Sequence, residues 1–153
     1  MKKIQDENTG WDMIRVVWTF LTVVFDEVDG VLEPMGLHQK RIVLLALLDV
    51  VDTPAGLADV MRAPSPTVSH MLKDLEDSGL IERRVDQLDR RRFRLSRTEQ
   101  GEEALRIGVE AINQVVDSRL LGIEKDRADL IRSGVGALAE ILPDVPPQVS
   151  CEC

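Results

Sequence analysis

Between Leu88 and Arg97 the chain sets five arginines, Arg90, Arg91, Arg92, Arg94 and Arg97, against one acid, Asp89. Guanidinium groups this crowded repel one another unless they neutralise a partner, and their planar fork matches phosphate best. A narrow A·T-rich minor groove is a second fitting partner, because its negative potential draws in arginine side chains. Upstream, Ser65, Thr67, Ser69, His70 and Lys73 supply hydroxyl, imidazole and ammonium groups able to hydrogen-bond base edges or phosphates. Other chemistry is sparse. The chain has two histidines, His38 and His70, no glycine-rich phosphate loop, and no His or carboxylate cluster at metal-ligand spacing. It reads as a non-enzyme without cofactor or metal.

The elements that must position these groups can be read from spacing. Val68, Met71, Leu72 and Leu75 fall at i, i+3, i+4 and i+7, so one stripe of a helix faces a core while the polar residues between them point elsewhere. Ser65 reads as its side-chain N-cap, Pro66 as its first helical residue, and Gly79 as its stop. Leu80, Ile81 and Val85 then flank Glu82, Arg83 and Arg84 as one short strand, and Phe93 and Leu95 alternate with Arg92, Arg94 and Ser96 as a second. Thr53 caps, and Pro54 starts, a short helix to Arg62. Two short helices, a ribbon and a basic loop make a winged helix-turn-helix. An arginine run is also what a plain solvated face looks like, and the capped, polar-faced helix before it is what favours nucleic acid.

At this point the residues resemble the MarR (multiple antibiotic resistance regulator) family of winged-helix transcription factors. SPTVSHMLKDLEDSGLIERR looks like that family's recognition helix running into the first wing strand. DQLDRRRFRLSRTEQG looks like its wing signature, Asp-x-x-Asp-Arg-Arg followed by Thr-Glu-x-Gly. The resemblance implies that Asp89 holds an arginine of the wing, that Arg91 is the tip entering the minor groove with Arg90 and Arg92 beside it, and that Thr67, Ser69, His70 and Lys73 face the major groove. Gln87 stands where many members carry Pro, Arg97 where the usual residue is Leu, and no cysteine lies near the N-terminus. The resemblance also implies a small aromatic or phenolic acid bound between the dimer helices and the DNA-reading lobe. The residues suited to it here are Trp18, Met35, His38, Arg41 and Met71, with Arg41 or His38 able to meet a carboxylate; the same Trp and Met residues would serve equally as core.

The flanks complete the plan. Trp11, Ile14, Trp18, Leu21, Phe25, Val28 and Leu32 follow spacings of three and four without a break, until Pro34 and Gly36. Residues 37–51 read as a buried helix, with Ile42, Leu44, Leu45, Leu47 and Leu48 inward. Thr98 caps a long helix to about Leu121, and a last helix runs from about Lys125 to Leu142. The fold class expected is mainly α with a small β-wing: a winged helix-turn-helix, residues 37–97, flanked by N- and C-terminal dimerisation helices, residues 11–34 and 98–142. Residues 1–10 and 143–153 are expected to be flexible ends. The flanking helices carry more apolar surface than a winged helix can cover, so a two-fold homodimer is expected, reading a pseudo-palindromic duplex with half-sites about 34 Å apart.

Of 153 residues, 44% are hydrophobic and 3% aromatic, with no Tyr, a helical protein's profile with enough apolar material for a core. The net charge of −8 argues against tight DNA binding until it is counted by region. From Arg62 to Arg97 nine bases face six acids, a balance of +3. Elsewhere ten bases face twenty-one acids, a balance of −11. An acidic body would turn the basic face toward DNA and limit non-specific binding. The start MKKIQDEN has no apolar h-region and the longest apolar run, Ile42 to Leu48, is far short of the about 20 residues a membrane span needs, so no secretory leader and a cytoplasmic protein are expected. The reading is a dimeric repressor that binds double-stranded DNA and is released by a small effector. Two alternatives stay open: a winged-helix dimer acting through protein–protein contacts, and a thiol- or metal-responsive regulator using Cys151 and Cys153 in the Pro-rich tail.

Overall fold

A computed structural model describes residues 9–85 and 93–140; the expectations about residues 1–8, 86–92 and 141–153 lie outside it. Six helices and one ribbon follow in order: α1 (Thr9–Leu32), a 3₁₀ turn (Glu33–Met35), α2 (Gln39–Leu47), α3 (Pro54–Val60), α4 (Ser65–Asp77), β1 (Ile81–Val85), β2 (Phe93–Arg97), α5 (Glu99–Leu121) and α6 (Lys125–Glu140). The order and types are those expected of a winged helix-turn-helix with helical flanks.

The core sits where α2, α3 and α4 meet the base of the ribbon and the first half of α5. Leu44, Leu45, Leu57, Val68, Leu72 and Leu75 are fully enclosed, joined by Leu80, Ile81, Leu95 and Leu105. Each such side chain contributes about 1.5–3 kcal/mol by leaving water. α2, nine residues, is shorter than the span 37–51 that the pattern suggested. His38 adopts an extended conformation before it, and after Leu47 the chain turns through Leu48 and Asp49 toward Pro54. A proline disfavours helix in the residue before it, and Thr53, extended there, caps α3 by accepting from Gly56 N–H at 3.3 Å.

The first helix departs most from its pattern. Only its last turns are enclosed, through Val24, Val28 and Leu32 against α5 and the core. Trp11 and Trp18, on the same stripe, remain 68% and 70% exposed. The other end of the chain matches: Leu130, Ile131 and Val135 of α6 are exposed, and Ala128 is that helix's one buried residue among those described.

The ribbon is antiparallel, in register Ile81↔Arg97 through Val85↔Phe93. Its base is buried at Ile81 and Leu95, and its outer end, Val85 and Phe93, is exposed. Asp52 extends the pairing, its carbonyl accepting from Leu95 N–H at 2.8 Å. α5 is locked to the ribbon at Thr98. That hydroxyl accepts from Gly101 N–H at 3.1 Å, donates to Gly79 O at 2.6 Å, and its own amide donates to Leu80 O at 3.1 Å.

Candidate nucleic-acid interface

The candidate site is built on α4. Its four core residues, Val68, Met71, Leu72 and Leu75, are buried as the spacing requires, so the helix can roll neither way. Thr67, Ser69, His70 and Lys73 lie off that stripe and are exposed, and Ser65, in line with it at the first turn, is exposed too. The helix begins one residue earlier than expected. Pro64 occupies the N-cap position without a side-chain bond, Ser65 is the first helical residue, and Pro66 the second. Two prolines remove two of the N–H groups a cap would have to satisfy, and the Pro64 carbonyl takes the amides of Thr67 and Val68 at 2.9 and 3.2 Å. Ser65 is therefore not the cap, and its hydroxyl stays exposed. At the other end Ser78 closes the helix and Gly79 follows with φ +72°, a left-handed turn in which Leu80 N–H returns to Leu75 O at 2.9 Å.

A polar clamp fixes α4 from behind. Arg41 of α2 donates to Gly36 O at 2.9 Å and to the carboxylate of Asp74, on α4. The same Asp74 oxygen lies 3.2 Å from His70 Nδ1. Asp74 thus faces two ways, toward the scaffold through Arg41 and toward the exposed face through His70. This changes the pocket expectation, since Arg41 already has a carboxylate and is not waiting for one. Met71 is buried and Met35 packs half-buried against the core, whereas His38 is exposed and Trp18 stands out from α1. The described residues do form an open groove of about 290 Å³ between α1 and α5, lined by Arg15, Val16, Thr19, Phe20, Val23 and Arg119, and it includes none of the five.

Several arginines of the ribbon find acids within the fold. Arg94 meets both carboxylate oxygens of Asp52 at 2.8 Å. Arg97, with a side chain only 9% exposed, donates to Leu45 O at 2.7 Å and to Asp49, and its Nε lies 2.8 Å from Glu102. Burial works against its charge, but the bonds to Asp49 and Glu102 outweigh that and hold the guanidinium above its ordinary pKa. Arg83 pairs with Glu76 at 2.9 Å, and Arg84 with Glu82. Reading the segment alone missed Asp49, Asp52 and Glu102, which reach these cations only through the fold; the run Asp-Val-Val-Asp just before the Thr53 cap was the one available sign. Asp89, Arg90, Arg91 and Arg92 lie outside the described residues, as do Cys151 and Cys153. Among the described residues no group of three or more His, Cys, Asp or Glu is placed to hold a metal, and no helix is long and apolar enough to cross a membrane.

The arrangement is an exposed polar helix face, held from behind, with a two-stranded ribbon beside it. Residues 38–92 match the MarR family. An uncharacterized HTH-type transcriptional regulator of Mycobacterium leprae is 23% identical over 113 residues, which cover 74% of this chain and 79% of that protein. Among solved structures, MarR superposes with a TM-score of 0.72 at 23% identity, covering 83% of this chain and 95% of that one. Streptococcus pneumoniae FabT, solved in complex with DNA, superposes at 0.70 with 19% identity, covering 93% of this chain and 100% of that one.

Proposed function

We propose, for a chain whose residues 38–92 match the MarR family and whose fold is that of MarR, a transcriptional regulator that binds double-stranded DNA as a homodimer. The observation that carries it is the face of α4. Five exposed polar residues, Ser65, Thr67, Ser69, His70 and Lys73, sit on a helix whose other side is wholly committed to the core. A helix so held can enter a major groove without rearranging, its first turns meeting base edges and the ribbon following the backbone. Arg90, Arg91 and Arg92 then supply the wing contacts. FabT and Staphylococcus aureus MepR, which share the fold, are both solved bound to DNA.

The homodimer is supported by the uncovered apolar faces of α1 and α6, and a two-fold axis would set two α4 helices about 34 Å apart for a pseudo-palindromic operator. Occupying such a site occludes polymerase, hence repression. An acidic effector entering beside Arg41 would have to displace Asp74, and so would loosen α4 directly.

The test is selection of bound sequences from a random duplex pool, followed by titration of the enriched duplex at two salt concentrations. The expected result is a pseudo-palindrome bound with steep salt dependence, because phosphate contacts release counterions. No enrichment and weak binding at low salt would defeat the reading and turn attention to protein partners.

A further inference from the structure

One backbone conformation in the chain is out of keeping with its residue. Arg62 has φ +47°, the one positive φ outside glycine among the described residues. It closes α3: its amide donates to Asp59 O and that of Ala63 to Ala58 O, both at 3.1 Å. This is the left-handed helix ending that glycine normally fills, because a Cβ there crowds the backbone. Strain of this kind persists where something else requires the side chain, and the inference runs from the outlier to a role.

Nothing within the described fold requires it. Arg62 is exposed and makes no ion pair or side-chain hydrogen bond among the described residues, whereas Arg41, Arg83, Arg84, Arg94 and Arg97 are all paired. Its position is the turn between α3 and α4, three residues before Ser65, at the end of α4 that would point into a groove. In a helix-turn-helix the helix before the recognition helix crosses the sugar-phosphate backbone. A cation on that turn borders the groove and meets a phosphate, not a base.

We propose that Arg62 is a phosphate-binding residue that anchors the helix-turn-helix on the duplex, and that the strained turn is kept for its guanidinium. This rests on the DNA-binding reading above. The test separates the two. Arg62→Gly, Arg62→Lys and the parent are titrated against the duplex enriched by the parent and against a random-sequence duplex, at about 50 and 200 mM salt.

Arg62→Gly is expected to weaken binding to both duplexes alike. It should flatten the log–log salt slope by about 0.9, so that its deficit shrinks about 3.5-fold across that range. Arg62→Lys keeps the slope. Because glycine relieves the turn, the melting temperature of Arg62→Gly should hold or rise by roughly 2 °C while affinity falls. A parental salt slope in Arg62→Gly, a loss confined to the enriched duplex, or a lowered melting temperature would each overturn the assignment. Failure of the parent to bind either duplex would instead overturn the DNA-binding reading, and this one with it.

Discussion

Gly101 carries hydrogen where any other residue would put a carbon 1.9 Å from the carbonyl oxygen of Leu80. No rotamer relieves that, because the obstacle is backbone. The Thr-Glu-x-Gly stretch is thus a joint: Thr98 caps α5 and bonds Gly79, and Gly101 lets the first turn of α5 lie on Leu80. Gly101→Ala should lower stability by about 2 kcal/mol or more, read as a fall in the urea midpoint at unchanged m-value. An unchanged midpoint would mean the turn can slide. The capping role of Thr98 was legible from residue type and place; the need for Gly101 was not, since its obstacle is twenty-one residues upstream. The same limit applies to charge. Five arginines against Asp89 implied an outside anion, yet Arg94 and Arg97 find theirs in Asp52 and Asp49, so the basic character left for DNA is narrower than the count. Under the proposed function it would fall to Lys73 and Arg62, with Arg90, Arg91 and Arg92.

At the scale of elements, periodicity was a sound guide wherever the partner surface lies in the same chain. The stripe of α4 is buried residue for residue. Helix ends were less legible: Ser65 before Pro66 read as a hydroxyl cap, and the backbone instead starts the helix at Ser65 with Pro64 as an N-cap lacking a side-chain bond. To the buried stripe that sets the azimuth of α4 is added the tie from Arg41 to Asp74, joining residues thirty-three apart. Both side chains are about a quarter exposed, so solvent screens the pair. Arg41→Gln is therefore expected to cost only about 1 kcal/mol of stability, read from urea unfolding. Affinity for the enriched duplex should fall further than that, because an unpaired Asp74 carboxylate would face the phosphates. Equal losses in the two measurements would reduce Arg41 to an ordinary stabilising contact.

At the scale of the molecule, the unbroken stripe of α1 exceeds what one chain can enclose. Its final turns pack inward, and Trp11, Ile14 and Trp18 do not. The pattern was readable, but the surface that answers it belongs to another copy under the dimer proposal. Trp18→Glu tests this, since a residue 70% exposed can take a charge without disturbing its own chain. Light scattering should then give the mass of one chain, where the parent gives two, with helicity preserved. A variant that still has twice the chain mass would move the interface off α1.

The joint at Thr98 has a mechanical meaning as well. The turn after α4, the base of the ribbon and the start of α5 share two hydrogen bonds and one close approach, so they turn as one piece. α5 is 23 residues long, a rod of about 35 Å. A tilt of about 5° at its far end would swing the joint, and the reading helix with it, by about 3 Å, enough to break the register of hydrogen bonds in a groove. In such a lever any event that changes the angle between two rods, however distant, is felt at the exposed face of α4.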